Sequence, residues 1–289
     1  MLNTLISIVF DGLAYAMILF VISVGLSVTM GLMGFVNLAH GVFAMLGGYL
    51  LAILMNSLGL GFLSALILAA LLVALLSLLF ERFLYAPLYK ASELDQVLLS
   101  IGLVLMSTAA ITYFFGPAPV AMQVPDYLSG HWEFGGRVFP VYRVLMIAFG
   151  FTLALGLWLA LERTLLGARI RAAVDNRRMA EAVGINVDRL FQITFALGSG
   201  LAALGGGLAV EIVGLSPSFA SQYLVLFLIV VAVGGMGTIK GSFVAALLLG
   251  VIDNGGKYLW PEGGAFFIYL VTVMVLLLKP GGLFGARAI

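Results

Sequence analysis

Cysteine is absent from the sequence, which removes disulfides, thiolate nucleophiles and cysteine-based metal centres from consideration. Histidine is almost as scarce, and the two that occur, His40 and His131, lie far apart. There is no HExxH, no GxSxG, no paired-carboxylate motif and no P-loop, so nothing has the spacing of an enzyme or of a nucleotide-binding site. Charge is also in short supply. Asp, Glu, Lys and Arg make up 9% of the chain and hydrophobic residues 63%, against a soluble norm of about a quarter charged and about half apolar. A chain of this composition is an integral membrane protein. The net charge of +1 points to neither nucleic acid nor an acidic partner.

What is present is a series of apolar runs. The 289 residues leave room for about eight to ten spans of about 20 residues each, with loops, and none for a separate soluble domain. In order, the runs are about Leu13–Met33, Gly41–Met55, Phe62–Phe80, Val97–Phe115, Val144–Leu161, Leu190–Val213, Tyr223–Val233, Phe243–Leu259 and Phe266–Leu278. The first part of the chain carries Asp11 inside an apolar run and lacks the basic start of a cleavable signal, so it reads as retained. Glu81–Asp95 reads as an aqueous loop. A loop at about 116–142 follows Gly116-Pro117-Ala118-Pro119, and within it HWEFGGRVF alternates around Gly135-Gly136, a two-residue hairpin signal. The seventh run is short and flanked by glycine, as in a broken helix.

Basic residues set an orientation, because Lys and Arg near span ends are retained on the cytoplasmic side. Six of the fourteen fall in one charged island, Arg163–Arg189. Placing the island inside also puts Arg82, Lys90, Lys240, Lys279 and Arg287 inside, and leaves Arg137, Arg143 and Lys257 outside, eleven against three. With nine crossings the N-terminus is outside and the C-terminus cytoplasmic.

Glycine is abundant, 36 residues, and much of it lies within the apolar runs. In lipid, where no hydrophobic drive joins helices, small residues supply packing by letting backbones approach. That accounts for Gly198, Gly200 and Gly205–Gly207. Runs such as GGMGTIKGS at 234–242 differ, since successive glycines cost roughly 1 kcal/mol each in a helix, and read as unwound joints lining a cavity. The segments His40–Leu46 and Lys240–Leu247 share Gly and Phe at matching offsets after a Gly-Met or Met-Gly elbow, the mark of a duplicated half. Polar residues in apolar surroundings are Asn37 and His40 at one elbow, and Glu211 and Asp253 near the ends of later runs. Such groups default to interior or water-lined positions. For His40 a capping or interhelical hydrogen bond outweighs contact with a solute, whereas Glu211 and Asp253 either reach the outer interface or present carboxylates to an amine.

The island has more design than an anchor requires. Asp175 or Asn176 can cap a short helix Arg177–Val183, with Arg177 and Glu181 spaced i,i+4 and Arg178 and Glu181 i,i+3. Gly184 is a natural stop, Ile185 can fold back in a Schellman-type contact, and Asp188 can cap the next membrane helix. A positive-inside anchor needs the arginines alone, whereas a docking helix needs the stop and restart as well.

The run Ala180-Glu181-Ala182-Val183-Gly184-Ile185-Asn186, followed by Arg189, Thr194-Phe195, Gly198 and Ala202-Ala203, resembles the cytoplasmic coupling segment of permeases of the branched-chain amino acid ABC importer family. Gly31–Leu50 and Gly234–Gly250 look like two further signatures of its LivH-like subunit. The likeness covers nearly the whole chain in order, with Lys240 and the triple glycine at 205–207 as local departures.

The resemblance implies an all-α polytopic bundle of about 8–9 transmembrane helices, a single permease domain over residues 1–289, with Gly-rich broken helices and a cytoplasmic coupling loop at about 162–189. It implies no cofactor and no chemistry in this chain. The partners would be a homologous permease, two cytoplasmic ABC ATPases and a periplasmic or extracellular binding protein, in a bacterial inner membrane. Arg177, Arg178, Ala180, Glu181, Ala182, Gly184 and Ile185 would couple to the ATPase. Asn37, His40, Gly41, Gly235, Gly237 and Glu211 would line the pathway for branched-chain amino acids or related small amides. Two rivals stand beside it. A secondary transporter would draw its ion-coupled site from Asp11, His40, Glu211 and Asp253. A membrane-embedded enzyme would need a converging nucleophile or metal cluster, which the residue inventory argues against.

Overall fold

Hydrocarbon offers the backbone no hydrogen-bond partner, so apolar runs of this length close their own bonds as helices. A computed structural model of the chain describes residues 2–285 except 36, 90, 121, 123, 135 and 136. Lys90, Arg287 and the Gly135-Gly136 turn therefore lie outside the described residues. The elements are α1 (Leu2–Met33), α2 (His40–Asn56), α3 (Phe62–Phe80), α4 (Glu93–Phe115), α5 (Asp126–Ser129), strands β1 (His131–Phe134) and β2 (Arg137–Pro140), α6 (Val141–Arg163), α7 (Leu165–Asp175), α8 (Arg177–Ala182), α9 (Val187–Val213), α10 (Phe219–Gly234), α11 (Ile239–Leu259) and α12 (Phe266–Leu278). Among the described residues, α1, α3, α4, α6, α9 and α11 are long and apolar enough to cross a membrane, and α2, α10 and α12 are shorter apolar helices. The chain is an all-α polytopic membrane protein, with one small antiparallel hairpin among the described residues, in which Trp132 faces Phe139 across the register.

The centre of the bundle is α9, 72% of whose most apolar window is buried, against 22% in α4 and 11% in α6. The reason is its glycines. A Cβ on Gly206 would fall on the Ala44 carbonyl of α2, and one on Gly47 of α2 would fall on the Ala203 backbone of α9. Each helix supplies the gap that the other's backbone enters, which is how close packing arises without a hydrophobic drive. Around this contact, α1 lies against α9 and α11, and Phe43 and Phe195 meet edge to face at 5.6 Å between ring centroids.

Three expectations change. The first helix begins at Leu2 rather than near Leu13, because Asp11 is paired with Arg143 at the start of α6, which relieves the cost of a charge within an apolar helix. Glu81–Asp95 is not simply an aqueous loop: α3 runs on through a π-helical turn, Glu81–Tyr85, and buries Glu81 and Tyr85. There the Tyr89 hydroxyl donates to Glu81 at 2.6 Å. The seventh apolar helix is also longer than its core, Phe219–Gly234.

Candidate functional site

The island folds into two helices where the sequence suggested one. α7 is capped by Thr164, whose hydroxyl accepts from the Gly167 amide at 3.3 Å. Arg171 donates to the Leu161 carbonyl and ties α7 back to the end of α6. Its buried face, Ile170 and Ala173, joins Ala180, Val187, Leu190 and Phe191 in a small apolar cluster with Met33 and Tyr89 against it.

α8 ends at Ala182, with Val183 as its C-cap. Of the two capping candidates, Asn176 is the one used, its side-chain oxygen accepting from the Met179 amide at 3.0 Å. At the other end the Ile185 amide donates to Ala180 and the Gly184 amide to Glu181, both at 3.0 Å, with Gly184 left-handed at φ +86°. These two bonds are the Schellman pattern. The cap of α9 is a correction: Asn186, not Asp188, accepts from the Arg189 amide, at 2.9 Å. Asp188 is drawn instead to Arg177, which bonds Glu181 at 2.9 Å and Asp188 at 2.8 Å. The Arg177 guanidinium also lies 5.1 Å from the centre of the Phe191 ring. The hydrogen bond to Glu181, reinforced by Asp188, raises the Arg177 pKa above its ordinary value against the opposing effect of burial. One arginine thus locks α8 to the start of α9. Arg178, Glu181, Ala182 and Gly184 are exposed, Ala180 is buried and Ile185 is half-buried. Sequence reasoning missed the apolar residues presented alongside them: Met179 is 62% and Val183 74% exposed.

The pathway candidates divide into separate places. His40 Nε2 lies 2.9 Å from the Ile22 carbonyl, an interhelical hydrogen bond. Asn37 accepts from the Ala39 amide at 3.1 Å and the Tyr85 hydroxyl at 2.9 Å. A Cβ on Gly41 would meet the Ala220 carbonyl at 2.8 Å. These three sit in packed interior, and they border neither of two cavities found at opposite ends of the bundle.

The cavity at the island end, about 760 Å³, is lined by Gly31, Trp158, Glu162, Arg171, Gly237 and Lys240, among others. Gly235 and Gly237 are the unwound joint between α10 and α11, at φ +97° and +78°. Gly237 borders the cavity, and its amide donates to the Ser27 carbonyl of α1 at 3.1 Å. Gly235 is covered by the turn at Phe284-Gly285, whose chain adds backbone bonds from Leu283 to Val233 and from Phe284 to Gly234.

At the hairpin end, a second cavity of about 420 Å³ lies between α1, α6, α9, α10 and α11, bordered by two ion pairs, Asp11 with Arg143 and Asp253 with Lys257. Glu211 is exposed on α9 beside Ile212 and Val213, which do line this cavity. Among the described residues no cluster of His, Asp and Glu is arranged to hold a metal ion.

Comparison with known proteins agrees across the chain's length. The family model for the branched-chain amino acid transport system permease component matches residues 8–276. The chain is 25% identical to the high-affinity branched-chain amino acid transport system permease protein LivH of Salmonella typhimurium, over 96% of this chain and 94% of that one. It is 27% identical to the corresponding BraD protein of Pseudomonas aeruginosa, over 95% and 94%. A probable LivH of Methanocaldococcus jannaschii is 24% identical over 94% and 90%. No solved structure matches.

Proposed function

The chain belongs to the branched-chain amino acid transport permease family, and from that premise we propose that it is the transmembrane permease subunit of an ATP-driven ABC importer for branched-chain, hydrophobic amino acids. It carries no catalytic step itself. ATP is hydrolysed in two cytoplasmic ABC subunits, a homologous permease completes the pathway, and a periplasmic or extracellular binding protein delivers substrate. The chain is one permease domain over residues 1–289 with nine crossings, α1, α2, α3, α4, α6, α9, α10, α11 and α12. The loop at about 162–189 is cytoplasmic and the one at about 116–142 external, so the N-terminus lies outside and the C-terminus inside. Eleven basic residues against three support this orientation.

α8 is the coupling helix, with Arg177, Arg178, Ala180, Glu181, Ala182, Gly184 and Ile185 as its working residues. The observation that carries this is the pairing of a rigid, double-capped helix with exposed Met179 and Val183. A water-facing helix that shows apolar side chains on a locked frame fits a groove in a partner. Closure of the ATPases around ATP would push on α8, and through Arg177 and Phe191 on the buried α9. The joint Gly235–Gly237 and the cavity beside it form the cytoplasmic part of the pathway. Asn37, His40 and Gly41 hold the packing that rocks, and Glu211 stands at the outer mouth. An ion-coupled transporter is the less favoured reading, since α8 would then have no task.

Co-purification with the ABC ATPases tests the assignment. Wild type should retain them, and Glu181→Arg and Gly184→Trp should lose them while inserting normally. Variants that retain the ATPases as well as wild type would show that the island only anchors the protein.

A further inference from the structure

The cavity at the hairpin end is lined by charged and apolar side chains together. Four charged side chains border it, two of each sign, toward the hairpin end of three long helices: Asp11 on α1, Arg143 on α6, and Asp253 and Lys257 on α11. They stand as two ion pairs. Asp11 is joined to Arg143 across 132 residues of sequence, and Asp253 to Lys257 at 2.6 Å within one helix. Charges inside a membrane bundle are costly and face water-filled or protein interiors. Here Arg143 and Asp11 are each about a third exposed, and Lys257 is 52% exposed while Asp253 beneath it is 6% exposed. Both pairs are therefore open to the cavity on one side. Between them Tyr15, Tyr223 and Leu226 form an apolar wall, and Tyr15 also underlies the Lys257 ammonium, 5.7 Å from its ring centre. The volume of about 420 Å³ falls at the small end of the range of about 300–1,000 Å³ in which small-molecule sites occur.

We propose that this cavity is a transient binding site for an α-amino acid zwitterion with an apolar side chain, the point at which substrate enters the membrane domain. The inference rests on the permease reading above and names a site for it. A zwitterion carries one charge of each sign on adjacent atoms, and each ion pair offers it the complementary two. Its carboxylate exchanges with Asp11 for Arg143 or with Asp253 for Lys257, its ammonium takes the freed aspartate, and its side chain lies on the tyrosine and leucine wall. Since pairs are exchanged rather than broken, the net charge of the cavity is unchanged, and no ion is left unpaired in low dielectric. The same balance keeps affinity low, as release into the pathway requires.

The test uses the assembled importer in lipid nanodiscs and radiolabelled L-leucine in an equilibrium binding assay without the binding protein. Co-purification and ATP hydrolysis are recorded on the same samples. Leucine should bind saturably and weakly. 4-Methylpentanoate, which is leucine without the ammonium, and isopentylamine, which is leucine without the carboxylate, should each compete at least tenfold less well than unlabelled leucine. Lys257→Gln, which removes the ammonium and leaves Asp253 in place, should weaken leucine binding about tenfold while the ATPases still co-purify. Arg143→Gln should do the same, and if that variant fails to assemble, Lys257→Gln carries the decision. Equal competition by either singly charged analogue would overturn the site, as would wild-type binding in Lys257→Gln. Absence of leucine binding in an importer that retains its ATPases would overturn it too, and would leave the permease assignment standing. Loss of the ATPases from the wild-type preparation would strike at the permease reading itself.

Discussion

Gly184 gives the coupling assignment its sharpest physical handle. Its φ of +86° lies in the left-handed region, and a Cβ built on it would meet no heavy atom within 4 Å. Substitution therefore costs through the backbone alone. For an L-residue the left-handed conformation costs roughly 1–2 kcal/mol, asparagine is partly excused, and β-branched residues suffer most. A six-residue helix has little cooperative reserve to absorb this. If α8 must hold its capped form to dock, Gly184→Ala should weaken ATPase retention about 5- to 30-fold, the factor that corresponds to about 1–2 kcal/mol. Gly184→Asn should stay near wild type, and Gly184→Val should fall below alanine. Titrating purified ATPase against the permease in nanodiscs measures the series. Equal affinity for the valine variant would refute the role of the Schellman stop. An asparagine variant as weak as valine would show that size at the docking surface matters, not the sign of φ.

Other consequences concern pairing and packing. Glu181→Gln removes one partner of Arg177 but leaves Asp188, and both side chains of the lost pair are nearly half exposed, so thermal stability should fall by no more than about 1 kcal/mol, whereas Glu181→Arg should abolish coupling. Gly206→Ala forces a methyl onto the Ala44 carbonyl and should cost about 1–3 kcal/mol or more, read as a lowered Tm in detergent; an unchanged Tm would contradict the α2–α9 contact. Tyr85→Phe removes a hydroxyl that donates to Asn37 at 2.9 Å and should destabilise by about 1–3 kcal/mol in the same assay. Burial, then the hydrogen bond to Glu81, raises the Tyr89 pKa above its ordinary value of 10.0. Because the folded value is the higher one, its contribution is complete below pH 10.0 and lost as pH climbs through the raised value, so Tyr89→Phe should flatten the alkaline limb of a stability profile and lower stability at neutral pH, where the buried Glu81 carboxylate loses the hydroxyl that donates to it.

Much of this architecture is local in origin and so was readable. Each apolar run became a helix because lipid leaves the backbone no alternative, and the Asn176 cap, the Arg177–Glu181 spacing and the Gly184 stop are encoded within ten residues. What sequence reasoning missed depends on distant partners. The start of α1 was placed too late because Asp11 reads as a helix boundary until Arg143 neutralises it. Asp188 looked like the cap of α9 on residue type alone, yet Asn186 takes that position and the carboxylate goes to Arg177, eleven residues back. α7 was passed over because its arginines hid an apolar face that needs Phe191 and Met33 to cover it. The cavity at the hairpin end draws on five helices. Nothing local in the sequence ties Asp253 and Lys257 to Asp11 or Arg143. Asn37 and His40, chosen because they are polar residues in an apolar setting, have their polarity taken up largely by neighbouring helices.

Uptake of radiolabelled leucine into proteoliposomes tests the central claim most directly. These would contain this chain, its partner permease and the two ATPases, with ATP inside and the binding protein outside. The account predicts uptake that requires both ATP and the binding protein, is indifferent to collapse of proton and sodium gradients, and is lost in Gly184→Trp. Uptake by this chain without ATPases, driven by an imposed ion gradient, would contradict it.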